Sequence, residues 1–154
     1  MPDFYDFDRA DARLPELRET LLRLRALRDE VVSVRDRIVE LNAPALAGGV
    51  ASTPPPARAE AELETKRLRM RLQGLVDQMQ ATVIQIDSWG IQLREIETGL
   101  VDFPALVSGR PVWLCWRLGE PATEHWHPAD SGFKDRQPVD ERFHRRSTSG
   151  NRPN

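Results

Sequence analysis

Ser88-Trp-Gly90-Ile-Gln-Leu-Arg94-Glu-Ile-Glu-Thr-Gly99-Leu-Val-Asp-Phe-Pro104 is the stretch on which the fold turns, because the periodicity of the chain changes inside it. Gly90 fits the left-handed position that closes a helix. Ile91-Gln-Leu-Arg94 then alternates apolar and polar residues, the period of a half-buried strand, with continued helix to Glu97 as the alternative. Thr98-Gly99 makes a turn, and Leu100-Val-Asp-Phe103 is rich in residues that suit a pleated surface. Pro104 has no N–H to give to a ladder, so its expected place is a sheet edge or just past a strand end.

Upstream of Gly90 the apolar residues fall at helical spacing, at Leu17, Leu21, Leu24, Leu27, Val31, Val34, Ile38 and Leu41. Asp8 is the expected N-cap of a short turn running to Leu14, and Pro15 suits either the first turn of a longer helix over 15–42 or a kink between the two. The two consecutive steps of three in Leu21–Leu24–Leu27 point to an overwound, coiled-coil-like contact instead of a strict heptad seam. Residues 43–56 contain Gly48-Gly49 and Pro54-Pro55-Pro56 and no periodicity, which reads as a mobile tip. Ser52 or Thr53 is placed to cap a second helix over 57–89, whose apolar face is Leu68, Leu72, Leu75, Met79, Val83 and Ile86. Each helix alone leaves an apolar stripe in water, so the two are expected to pack antiparallel.

Downstream of Gly99, Val112-Trp-Leu-Cys-Trp-Arg-Leu118 and Thr123 to Trp126 read as further strands, with turns at Ser108-Gly-Arg110 and Gly119-Glu-Pro-Ala122. The expected fold class is therefore α+β, a long antiparallel two-helix hairpin packed with a small antiparallel β-meander. One domain over 1–139 would hold the helices, a β-module over 91–127 and a closing loop over 128–139. The polar, aperiodic residues 140–154 read as a disordered tail.

Composition narrows the function class. Charged residues make up 30% of the 154, and the net charge of −2 gives no overall attraction to nucleic acid or an anionic membrane. No apolar run reaches the roughly 20 residues that span a bilayer, and the amino-terminal residues show no signal-peptide pattern. The single cysteine, Cys115, excludes an intramolecular disulfide. A soluble cytoplasmic protein is expected. The basic tail residues Arg142, Arg145, Arg146 and Arg152 are only four cations set against Asp140 and Glu141, a weak signal that argues against nucleic-acid binding.

Leu14-Pro-Glu-Leu17, Gly99-Leu-Val-Asp-Phe-Pro104, Cys115-Trp-Arg-Leu-Gly-Glu120, Trp126-His127 and Gly132-Phe133 followed by Arg136 carry a resemblance. Over about residues 4–139 the chain resembles the bacterial family catalogued as domain of unknown function 2203. The resemblance implies a small, soluble bacterial protein and no assigned activity. It marks out a motif cluster of Asp102, Cys115, Arg117, Glu120, Trp126, His127 and Arg136.

Two kinds of function remain open from the residues. On the first, the chain is a non-enzymatic interaction or structural module. Alternation in β-structure puts Val112, Leu114, Trp116 and Leu118 on one face and Trp113, Cys115 and Arg117 on the other. Trp113 then marks an interaction surface, and a homodimer is expected because a thin sheet and two helices bury limited surface. On the second, Cys115, His125 and His127 hold zinc with an open position, or nearby charges perform proton transfer. No Cys-x-x-Cys, His-Glu-x-x-His, nucleophile elbow or phosphate loop supports the second kind, so the sequence favours no cofactor, no metal and no catalytic residue. An acid–base centre would draw on Asp102, Arg117, Glu120, His127, Asp130 and Arg136, residues that equally serve as ion-pair staples in a thin sheet.

Overall fold

The computed structural model describes residues 3–46 and 55–140. Positions 47–54, with the expected Ser52 or Thr53 cap and most of the expected tip, lie outside the described residues, as do positions 141–154 of the expected tail. The order is helix α1 (Phe7–Leu46), helix α2 (Pro55–Ser88), then strands β1 (Gln92–Glu95), β2 (Leu100–Val107), β3 (Arg110–Arg117), β4 (His125–Pro128) and β5 (Gln137–Pro138). A short 3-10 helix, Phe133–Asp135, precedes β5. The fold class is α+β, two long helices followed by an antiparallel sheet. No helix of the described residues is long and apolar enough to cross a membrane.

The described chain divides into two compact units, one of residues up to Leu22 with those from Val83 onward, the other of residues 23–82. In the second unit the two helices form a hairpin. Glu30 pairs with Arg71 and Arg37 with Glu64, so the partner number falls by seven as the α1 number rises by seven, and the helices run antiparallel. Leu27, Val34 and Leu75 are buried at the seam, with Val31, Ile38, Leu68, Leu72 and Met79 packed around them. Steps of three and four continue the α2 seam through Thr65 and Thr82, both buried. Thr82 takes the place expected of Val83. Its hydroxyl donates to the Gln78 carbonyl at 2.8 Å, which removes the cost of burying it. The interhelical ion pairs are exposed and add little to stability.

In the first unit the beginning of α1 differs from the sequence expectation. The helix runs without a break from Phe7 through Pro15, and its cap is Asp6, whose Oδ1 accepts the Arg9 N–H at 2.8 Å. Pro15 forgoes one backbone bond. Burial of Ala10, Leu14, Leu17 and Leu21 along one face offsets that loss. The five strands form a meander in the order β1-β2-β3-β4-β5, each antiparallel to its neighbour. The fourth strand lies two residues later than Thr123–Trp126, and the expected closing loop contains the fifth strand. β2 also runs through Pro104, which pairs with Trp113 on one side. β1 starts opposite Asp102 and does not reach Pro104, where the Tyr5 N–H instead donates to the Pro104 carbonyl at 2.6 Å. Proline is tolerated at this point because β1 does not extend along that side of the strand.

One face of the sheet is apolar: Val101, Phe103, Ala105, Val107, Val112, Leu114, Trp116 and Trp126 are buried there. The start of α1 is fastened to this face. Tyr5 meets Phe103 edge-on with ring centroids 5.0 Å apart, and Asp11 Oδ1 accepts both the backbone N–H (2.8 Å) and the hydroxyl (2.6 Å) of Thr123. Arg18 donates to the carbonyls of Glu120 and Pro121. Gly90 closes α2 in the left-handed region at φ 76°. Gly99 is fixed more tightly, because at φ 67° a Cβ there would stand 2.5 Å from Leu118 Cβ.

Candidate functional site

Strand register decides which polar side chains meet. Directly opposed residues in antiparallel strands share a face, and the pairs Asp102–Cys115, Cys115–His125 and Trp113–His127 place all five on the face opposite the apolar core. Asp102, Cys115 and His127 are nonetheless buried there, at 2%, 1% and 2% exposure. Their ligand-type atoms, a carboxylate oxygen, Sγ and an imidazole nitrogen, all lie within 4.8 Å of one another. Asp102 is a carboxylate within an otherwise apolar strand, so its burial requires partners.

It has two. His127 Nε2 lies 3.0 Å from each Asp102 oxygen, and Arg94 Nε donates to Asp102 Oδ2 at 2.8 Å. The other imidazole nitrogen, Nδ1, stands 2.9 Å from the Pro128 carbonyl. A carbonyl and a carboxylate both accept, so Nδ1 carries a hydrogen toward Pro128 and a proton lies between Nε2 and the Asp102 carboxylate. Arg94 comes from the irregular end of β1, where the register shifts between Leu93 and Glu95, and its guanidinium lies 4.9 Å over the Trp113 ring. Burial pushes the Cys115 thiol up to about 12, with the nearby Asp102 charge adding to the rise and Arg136 opposing it.

Beside this group is an open cleft of about 440 Å³, lined by Arg94, Leu100, Asp102, Cys115, His127 and the segment Ala129, Asp130, Ser131, Gly132, Phe133. The segment that follows β4 therefore forms one wall, and the three buried groups form the floor.

The remaining residues of the motif cluster sort into other places. Glu120 is the hub of a second constellation: its Oε1 accepts the Arg117 backbone N–H at 2.7 Å and pairs with Arg136 Nη2, which also donates to the Cys115 carbonyl. His125 turns to this group, with Nδ1 3.7 Å from Glu120 Oε2, so Asp102 stands beside Cys115 and His127 where the sequence suggested His125. The side chains of Arg117 and Arg136 lie against the Phe133 ring. Trp126 belongs to the opposite, apolar face, opposed to Leu114, and is no part of the cleft. Trp113 is half-buried beneath Arg94.

Two members of the site were missed by sequence reasoning. Arg94 joins Asp102 because Gln92 opposes Asp102 and the register shift re-aims the next residues, and no local pattern announces a bulge. Ser131 reaches the cleft through the turn after β4, where its hydroxyl donates to the Pro128 carbonyl at 3.2 Å. The one usable signal was Asp102 itself, a lone charge in an apolar strand.

No curated protein matches the chain, and no solved structure matches it. A family model described as an uncharacterised conserved protein matches residues 3–139, a span that contains both helices, all five strands and every residue of the cleft. The chain is thus a member of the family DUF2203.

Proposed function

We propose that the protein holds one zinc-class metal ion in a three-ligand centre made of Asp102, Cys115 and His127, open to the cleft. The observation that carries this reading is the convergence of three chemically different ligands, all buried, within 4.8 Å. A tetrahedral zinc site sets its ligand atoms about 3.3–3.7 Å apart, so small side-chain rotations from the present geometry suffice. The bond between His127 Nδ1 and the Pro128 carbonyl is the kind of outer contact that orients a metal-bound imidazole. Thiolate with imidazole and carboxylate favours zinc over magnesium or calcium, which prefer oxygen ligands alone. Three protein ligands beside open space leave a position for water or a ligand.

Cysteine-based nucleophilic chemistry fits less well. A base that activates the thiol would take its proton, whereas Nε2 shares a proton with Asp102 and Nδ1 donates to Pro128; a metal ion between the Asp102 oxygen and Nε2 would displace that shared proton. The Cys115 thiol also holds its proton strongly. A metal ion would reverse that, since coordination removes the proton. The arrangement likewise shifts the balance away from a purely non-enzymatic interaction module, because Cys115 and His127 converge in a concavity and Trp113 is partly covered.

The test is cobalt and zinc binding to the purified protein. One equivalent of cobalt should bind with a thiolate-to-cobalt charge-transfer band, and Cys115→Ser should abolish the band. Binding of zinc should release a proton, read as a dependence of calorimetric heat on buffer ionisation. No stoichiometric binding at micromolar metal, with a melting curve unmoved by chelator, would overturn the reading.

A further inference from the structure

The cleft contains more than the three proposed ligands, and Arg94 is its most exposed charged group with a fixed pose. Its side chain is 42% exposed, yet it is held at two points, by Asp102 through Nε and by the face of Trp113. Among the described residues its recorded hydrogen bond runs from Nε, so the two Nη groups, which carry most of its donors, make none. A guanidinium presents a planar fork that matches a carboxylate with two parallel bonds. The other arginines near the cleft are committed: Arg136 binds Glu120 and the Cys115 carbonyl, and Arg117 lies against Phe133.

We infer that the cleft binds a small organic carboxylate, gripped by the Arg94 fork beside the metal position. The inference rests on the proposed metal centre only for the second contact of the carboxylate. A divalent ion held by one carboxylate and one thiolate makes a neutral centre, and Arg94 then supplies the positive charge that an anion answers. Asp130 on the cleft wall works against a multiply charged anion, which favours a monocarboxylate over a sulfate or phosphate. Leu100, Ala129 and the 43% exposed ring of Phe133 offer an apolar surface for the carbon part of the ligand. A volume of about 440 Å³ suits a small molecule.

The experiment titrates the full chain with acetate, benzoate and sulfate, by calorimetry and by following the Trp113 indole N–H signal in NMR spectra. Benzoate should bind more tightly than acetate, and sulfate at least tenfold more weakly than benzoate. Arg94→Gln should weaken benzoate at least tenfold, with Arg94→Lys between. In the wild type the Trp113 signal should move on binding while that of Trp89 stays, a readout independent of whether the variants fold. Equal benzoate affinity in wild type and folded Arg94→Gln, a Trp113 signal that does not move, or sulfate binding as tightly as benzoate would overturn the carboxylate site. Zinc should tighten benzoate binding at least tenfold. Arg94-dependent benzoate binding in a protein that takes up no zinc would support the carboxylate site and overturn the metal centre alone. Zinc binding with Arg94-independent benzoate affinity would do the reverse.

Discussion

Removing the Asp102 carboxylate tests whether the buried floor of the cleft works as a unit. In Asp102→Ala, His127 Nε2 loses both oxygens at 3.0 Å and Arg94 Nε loses its acceptor at 2.8 Å. The two losses are unequal. Arg94 is 42% exposed and regains water, so its share is at most about 1 kcal/mol. His127 is 2% exposed, so its imidazole regains far less hydration than Arg94 does. Breaking a buried pair from one side costs about 3–5 kcal/mol. The midpoint should therefore fall by roughly 10 °C for a chain of this length. His127→Phe in the Asp102→Ala background should restore part of the loss, giving a coupling of about 2 kcal/mol in a double-mutant cycle. Urea unfolding in the presence of chelator, followed by tryptophan fluorescence, measures all four corners without a metal contribution. A coupling below about 0.5 kcal/mol would refute the idea that Asp102 and His127 are mutually dependent.

Gly99→Ala should destabilise by about 2–3 kcal/mol, since it combines a left-handed backbone with a methyl 2.5 Å from Leu118 Cβ; an unchanged urea midpoint would show that the β1–β2 turn relaxes freely. Metal-free Cys115 should react with iodoacetamide very slowly at neutral pH and faster only toward pH 12, because burial holds the thiol protonated. The sign for stability follows from the same shift. A thiol held up to about 12 against an ordinary value of 9.0 contributes stability that is complete below pH 9 and lost as pH rises toward 12. Rapid alkylation at pH 7 in the folded protein would contradict the burial of Sγ.

The helices and the change to β-structure could be read from the sequence because both rest on local periodicity. Apolar residues three and four apart can bury together only on a helix, and Gly90 and Gly99 occupy left-handed positions that other residues avoid. The core face of β3 was legible for the same reason, since Val112, Leu114 and Trp116 alternate with residues of the other face. Local rules failed where a long-range contact outweighed them. Pro15 stays helical because its neighbours on the buried face compensate the missing bond. Pro104 stays in β2 because β1 starts only opposite Asp102 and the Tyr5 backbone reaches the Pro104 carbonyl. The cleft depended on register above all. Asp102 lies 13 and 25 positions from Cys115 and His127 by the numbering, and nothing in the spacing sets them together. Two strand pairings and one bulge do so, and they also send His125 to Glu120 and Trp126 to the opposite face. Sequence alone set out the two helices and the strands that follow Gly90 in outline, since local periodicity is decided by each residue and its near neighbours. The unbroken helix through Pro15, the extent of β2 and the fifth strand were decided by distant contacts. The tertiary structure decided which side chains share a few ångströms, because a one-residue change of register would carry every one of them to the other side of the sheet.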